Sequence, residues 1–279
     1  MMQTTLTLLG TGSPGCYPNA YQPAAVVVVD ETPYIIDCGG GTVQRLSLAE
    51  ANGESALAFH NLRTVILTHL HPDHTAGLAD LIISTWIKGR QEPIVIYGPA
   101  GTQRMVDLLI EAYALGIAEH AGDDTPTKWP LFYKVVEYTD GEILATADVT
   151  ITAFRVSHGG METYGLKLVS ADKTIVHAAD TRPHPAVIEH ARGCDILIHE
   201  VYSEQAVANP NLPFPASYFR RMHTSTTELA EIAQEARPKR LVLTHQMHLG
   251  PISDDDLLQE ITDLYDGEVI FGRDLDVFV

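Results

Sequence analysis

Residues 68–74 read Thr-His-Leu-His-Pro-Asp-His, and so place three imidazoles and a carboxylate within the six positions from His69 to His74. Neutral imidazole and carboxylate together suit zinc or another borderline divalent cation. His69 and His71 are two apart and could converge on one cation; Asp73 and His74 follow and could reach a second beside it. Crowding that many polar side chains is costly unless something satisfies them, so the stretch reads as a metal site. The apolar run Val65-Ile66-Leu67 precedes it. A strand ending there would deliver the four side chains into a tight loop at its C-terminal end.

The rest of the chain repeats that arrangement. Strand-like segments at 149–156, 174–177, 196–198 and 240–243 lead to His158, to Asp180, to His199 with Glu200, and to His245. Further strands are expected at 4–9, 24–29, 33–37, 94–97 and 164–169. Helices are expected from Thr42 with Val43, Leu46 and Leu48 inward, over 76–86, over 102–119, and over 226–236. Ser225 and Glu228 fit a capping box for the last of these. Residues 120–134 are looser, and Trp129, Phe132 and Tyr133 read first as ordinary packing. The segment 201–222, with prolines and the aromatics Tyr202, Phe214, Tyr218 and Phe219, reads as a lid loop. Strands alternating with helices, with His or Asp at strand ends, describe an α/β protein with its site along one edge of the sheets.

Two motifs need weighing. Gly10-Thr11-Gly12-Ser13-Pro14-Gly15 matches the dinucleotide fingerprint, yet Cys16-Tyr17-Pro18-Asn19 cannot open the helix that fingerprint requires. A glycine-rich site or hairpin loop fits better. Asp37 serves either as an acceptor supporting the metal loop or as a turn carboxylate.

Composition narrows the class. The 279 residues are 45% hydrophobic and carry a formal net charge of −18. They suit one soluble domain over 1–279. The charge opposes a broad nucleic-acid or anionic-membrane surface, although a cationic metal centre would still attract a small anionic substrate. Three widely spaced cysteines (Cys16, Cys38, Cys194) suggest a reducing compartment. The first residues lack a signal-peptide pattern, and the aliphatic block 24–29 is too short to span a bilayer. The expected location is the cytoplasm.

HLHPDH at 69–74 resembles the H-x-H-x-D-H signature of the metallo-β-lactamase fold superfamily. GTGSPG, DCGGGTVQRL (37–46), DTRP (180–183), HEVYSE (199–204) and HTSTTE (223–228) resemble, in order, its tRNase Z and arylsulfatase-like branch. The resemblance implies an αββα four-layer sandwich of two mixed sheets flanked by helices. It also implies two Zn2+, with Mn2+ or Fe as substitutes. His69, His71 and His158 would hold one ion, Asp73, His74 and His245 the other, and Asp180 would bridge them. A metal-bridging hydroxide would attack, Asp73 would steer its proton, and His223 assisted by Glu200 would protonate the leaving oxygen. His199 and His248 are expected to be structural or at the surface, and Arg182 to form a local salt bridge.

The sequence departs from that branch at two places. The interval from His158 to Asp180 holds two strands and a turn and leaves no room for the tRNA-gripping arm, and Gly40 stands where an acidic residue is usual. With the acidic charge, this argues against nucleic acid as partner and for small anionic or ester substrates. The expected function is hydrolysis of small phosphodiesters. Alternatives are an arylsulfatase, a lactonase or β-lactamase-like acyl hydrolase, a tRNA 3′-processing endonuclease, and a non-catalytic metal-stabilised interaction protein. The family's frequent dimers make a homodimer an expectation as well.

Overall fold

In a computed structural model of the protein, which describes residues 3–15, 17–121, 132–212 and 214–279, the strands form two mixed seven-stranded sheets with flanking helices. The chain divides into two compact units, each holding one sheet.

The first unit spans 1–10, 16–138 and 274–279. It contains β1 (Thr4–Gly10), β2 (Ala24–Val29), β3 (Thr32–Ile36), α1 (Thr42–Ala51), β4 (Thr64–Ile66), α2 (Pro72–Thr75), α3 (Leu78–Ile87), β5 (Ile94–Gly98), α4 (Thr102–Ala112), α5 (Ala114–Ala121) and β6 (Tyr133–Glu137). The C-terminal strand β14 (Val277–Phe278) completes the sheet in the order β14-β1-β2-β3-β4-β5-β6. The β14–β3 half is antiparallel and the β3–β6 half parallel. The second unit spans 11–15 and 139–273. It contains β7 (Gly141–Ala145), β8 (Val149–Arg155), β9 (Tyr164–Ser170), β10 (Thr174–His177), α6 (Pro185–Ala191), β11 (Ile196–Tyr202), α7 (Ala216–Met222), α8 (Thr226–Ala236), β12 (Arg240–Met247), α9 (Asp254–Thr262) and β13 (Glu268–Phe271). Its order is β13-β12-β11-β10-β9-β8-β7, parallel from β13 to β10 and antiparallel beyond.

Each sheet buries an apolar face under its own helices. In the first unit Val26, Ile35, Val65 and Ile96 pack with Val43 and Leu46 of α1 and Leu78, Leu81 and Ile82 of α3. In the second, Val176, Leu197, Leu241 and Leu243 pack with Val187 of α6, Leu229 and Ile232 of α8 and Leu257 and Ile261 of α9. Burial of these branched side chains is the main stabilising contribution, about 1.5–3 kcal/mol for each fully buried one.

Several expectations change in detail. Leu48 is 42% exposed rather than inward, because the α1 face at Val43, Leu46 and Ala49 already meets the core. The long helix expected over 102–119 is two helices. The last turn of α4 closes with Tyr113 N donating to Ile110 O, and Tyr113 has left the helical ψ. This single irregular residue re-aims α5, so that Ile117 is buried while Leu115 is 91% exposed. Asp73 and His74 belong to the short helix α2, started by Pro72 at its first position, where the missing N–H costs nothing. Strands β11 and β12 run past the expected ends, so His199, Glu200 and His245 lie within them. Helix α8 begins and ends as expected, with the Ser225–Glu228 capping box in place.

Within 201–222, Val201 and Tyr202 finish β11, and α7 forms the C-terminal part. Tyr202, Val207, Phe219 and Met247 make a small buried cluster there. Phe132 is buried and Tyr133 packs against the first core, whereas Trp129 lies outside the described residues. Among the described residues no helix is long and apolar enough to cross a membrane.

Candidate active site

In the first unit the loop after β4 carries the histidine cluster. Asp37, just past β3, adopts φ 58°, an unusual left-handed conformation for a non-glycine residue. Its carboxylate accepts from Thr68 N at 2.8 Å, from Thr68 Oγ1 at 2.9 Å and from His74 Nδ1 at 2.7 Å. Of the two roles open to Asp37, the structure shows the supporting one. Thr68 Oγ1 in turn lies 3.0 Å from His69 Nδ1. With its hydroxyl hydrogen given to Asp37, it accepts from the ring. Both contacts leave the Nε2 lone pairs of His69 and His74 for a cation.

His69 Nε2 and His71 Nδ1 are 3.0 Å apart. Two nitrogens about 2.0–2.1 Å from a tetrahedral zinc stand about 3.3 Å from each other, so this pair has the right spacing. Asp73 Oδ2 lies 3.5 Å from His74 Nε2. The glycines Gly39 and Gly77 allow close approach. A Cβ on Gly39 would fall 2.4 Å from the Asp73 carbonyl, and one on Gly77 would fall 2.3 Å from Gly39 O. Gly40 donates its N–H to Gln22 Oε1 at 2.8 Å.

In the second unit four strands deliver side chains to one place. His158 follows β8, and Asp180 follows β10 after Ala179, whose φ is 59°. On β12, Thr244 pairs with Glu200 and Gln246 with Val201, which leaves His245 as the extra residue of a β-bulge, at φ 46°. Bulges re-aim side chains. Here the His245 Nε2 comes 3.2 Å from Asp180 Oδ2, and His158 Nε2 lies 3.8 Å from the same oxygen. His158 Nδ1 donates to the Met222 carbonyl at 2.7 Å, so its Nε2 also presents a lone pair. Burial pushes the His158 pKa down, the Asp180 carboxylate opposing; the ring is thereby kept in the neutral form that binds metal.

His223 sits beside these groups, its ring 5.0 Å from that of His158 and 5.7 Å from that of His245. Its Nδ1 donates to Glu200 Oε2 at 2.8 Å, and Glu200 Oε1 accepts from Thr181 N at 2.7 Å. Thr224 Oγ1 donates to the Thr181 carbonyl at 2.6 Å. Asp180, His223 and His245 offer donor atoms within one metal-sized cluster, as do His158, Glu200 and His223. The donor chemistry of both units therefore fits divalent cations.

Other expected residues fall outside. His199 is fully buried with Nδ1 donating to Glu200 O. His248 pairs with Asp254 at 2.8 Å. Arg182 forms no ion pair among the described residues; its Nε donates to Ser157 Oγ at 3.1 Å instead. The Met222 carbonyl, the Thr181 N–H and the Thr68 hydroxyl were not read from the sequence. A backbone group carries no residue signature, although Thr68 and Thr181 lie inside the motifs themselves. The Gly10–Gly15 stretch is a loop leading away from β1 with no helix after it, as the residues at 16–19 imply.

Two mixed sheets, each with histidines and aspartates at its strand ends, define a metal-dependent hydrolase of the metallo-β-lactamase type. The chain belongs to that superfamily: the family model described as "Beta-lactamase superfamily domain" matches residues 32–246. It is 31% identical over 278 residues to Ribonuclease Z of Mycobacterium marinum (strain ATCC BAA-535 / M), covering 97% of this chain and 96% of that one. It is 33% identical over 282 residues to Ribonuclease Z of Mycobacterium bovis (strain BCG / Pasteur 1173P2), with the same coverage. Among solved structures it is similar to the metallo-beta-lactamase fold protein YhfI from Bacillus subtilis, at 21% identity, TM-score 0.75 and coverage of 99% and 98%. The short form of human tRNase Z aligns at 22% identity and TM-score 0.72, with the same coverage.

Proposed function

We propose that the protein is a dinuclear zinc phosphodiesterase in which 1–279 works as one catalytic domain. The observation that carries the reading is the Glu200-held His223 beside Asp180 and His245, a proton donor next to metal ligands. Mn2+ or Fe would serve the same donors. His69, His71 and His158 are assigned to one ion, Asp73, His74 and His245 to the other, and Asp180 to both, by family membership and by the donor chemistry of each unit.

Divalent ions held by these residues would acidify a water and offset charge growing on the attacked phosphorus. Asp73 orients the attacking water's proton. Glu200 accepts from Nδ1 of His223 and so turns its Nε2 towards the leaving oxygen, to which it gives a proton. Residues 201–222 border this acid and act as a cap over the substrate.

A second reading, cleavage of RNA, is favoured by the near full-length relatives named Ribonuclease Z, and it runs against the expectation drawn from the −18 charge. The His158–Asp180 interval remains short: β9 and β10 fill it, joined by a turn in which Ser170 N donates to Lys173 O. Turnover of a bis-aryl phosphate, an aryl sulfate, a lactone and a precursor tRNA by one metal-reconstituted preparation separates the readings. Dominant sulfate or lactone hydrolysis would sink the phosphodiesterase, and efficient tRNA cleavage would establish the second reading. A homodimer and a cytoplasmic location belong to the same proposal. Buried, unpaired Cys38 and Cys194 suit a reducing compartment, and sedimentation at micromolar concentration tests the dimer.

A further inference from the structure

The segments that carry Glu200 and His223 converge on another carboxylate, one that the proposed mechanism leaves unused. Glu260, on α9, is half-buried and has no basic partner among the described residues. On the β11 side, Ser203 Oγ donates to its Oε1 at 2.5 Å and Glu204 N donates to its Oε2 at 3.0 Å. On the α8 side, Thr226 Oγ1 donates to the same Oε2. Ser203 stands three residues after Glu200, and Thr226 three residues after His223.

Backbone geometry explains why an acceptor is needed there. The residues after His223 run beside the end of β11 as a short parallel ladder: Tyr202 pairs with Ser225, and Tyr202 N donates to the Thr224 carbonyl at 3.1 Å. The next rung from β11 would bring Glu204 N to the Thr226 carbonyl. That carbonyl is committed elsewhere, because Thr226 is the first residue of α8 and a helical C=O accepts from the residue four ahead. Glu260 Oε2 takes the Glu204 N–H instead, with Thr226 Oγ1 3.2 Å from the same nitrogen. The carboxylate closes the ladder where helix formation ends it.

Ser203 and Thr226 are fully buried, so their hydroxyls have no water to turn to if the acceptor is lost. A buried donor left unpaired is costly, and hydrogen bonds to an ionised acceptor are among the stronger ones. Thr181 ties the same two segments at Glu200 and at Thr224. Glu260 ties them again further along, at Ser203, Glu204 and Thr226. Without the second tie, the segments can pivot about the first.

We propose that Glu260 is a positioning residue for proton donation: by closing the ladder between the end of β11 and the entry to α8, it keeps the Glu200–His223 hydrogen bond in one geometry. The proposal rests on the reading of His223 as the leaving-group acid. Proton transfer depends steeply on placement, and a displacement of about 1 Å caused far from the chemistry can cost about 10²-fold in rate.

The test uses Glu260→Ala, which deletes the carboxylate, and Glu260→Asp, which withdraws it by one methylene. Both are compared with wild type, metal-loaded, on aryl phosphodiesters of graded leaving groups. For the poorest leaving group kcat is expected to fall about tenfold; for the best it should change little, with metal content unchanged. In a His223→Ala background the same substitutions should add no further loss. Glu260→Gln should recover most of the rate, since its amide oxygen can accept from Glu204 N and Thr226 Oγ1 while its nitrogen donates to Ser203 Oγ. Equal losses across leaving groups, or losses that persist without His223, would make Glu260 ordinary packing and overturn the proposal. If Glu260→Ala fails to fold, the Asp and Gln variants carry the same comparison. NMR of the zinc-loaded protein with isotope-labelled histidine gives a readout without turnover, following the His223 Nδ1–H identified by its loss in His223→Ala. Faster exchange of that proton with water in the Ala and Asp variants, and its protection in Gln, upholds the positioning role even if no phosphodiester is cleaved, which would sink only the hydrolase reading. Unchanged exchange in every variant would overturn the positioning role and leave that reading standing.

Discussion

Glu200 Oε2 stands 2.8 Å from His223 Nδ1, while the other oxygen of the same carboxylate is held by the Thr181 N–H at 2.7 Å. The carboxylate is 1% exposed, so both of its oxygens are committed and the imidazole it holds has one orientation. A histidine fixed through Nδ1 works at Nε2.

For His223→Ala, kcat is expected to fall about 10²–10⁴-fold with metal content unchanged. The loss should be smallest for substrates with good leaving groups, which need no proton. A uniform loss across a series of aryl leaving groups would remove His223 from that role. Glu200→Gln, which weakens the orientation only, should cost about 10–100-fold.

Asp180→Ala should abolish binding of at least one metal, because His158 and His245 both direct Nε2 at its Oδ2. Elemental analysis of the purified variant reads this directly, and two metals at full occupancy would refute a shared ligand. Exhaustive chelation of the wild type should remove activity, and zinc should restore it.

Asp37→Ala removes the acceptor of His74 Nδ1 and of Thr68. Metal affinity is expected to weaken about 10–100-fold, measured by competition with a chromophoric chelator. Unchanged affinity would show that the loop holds its own shape.

His199 provides a pH test. Burial pushes its pKa down from the usual 6.5 to about 4, partly offset by its hydrogen bond to the Glu200 carbonyl. The unfolded chain therefore binds a proton at this site in the window where the folded chain does not, and stability falls as pH drops from about 6.5 towards 4. The loss attributable to this group is on the order of 3 kcal/mol. Urea unfolding of chelated wild type and His199→Asn across that range should show a shallower acid slope for the variant. Parallel slopes would contradict the assignment.

Ser225→Ala removes one half of the α8 capping box and should lower stability by about 1 kcal/mol, visible as a reduced urea midpoint.

Much of the site was legible because chemistry marks its own residues. His69, His71, Asp73 and His74 fall within one short loop, and His158, Asp180 and His245 each follow or end an apolar run. The Ser225–Glu228 box announced α8 to the residue. The break at Tyr113 was not legible, since the apolar spacing of 102–119 fits one helix as well as two. Nor were β6, β7 and the bulge at His245, because partly exposed strands and extra residues leave no periodic trace.

The local sequence determined which side chains could bind metal, because ligand identity and spacing along a single loop are local properties. Only the tertiary structure decided how His223, Glu200 and His158 are held. Glu200, the partner of His223, lies on a separate strand and is itself set by the Thr181 backbone, while His158 is oriented by the carbonyl of Met222. Such pairings form between groups distant in sequence. Two of them rest on backbone atoms that every residue possesses, so no residue type can announce them.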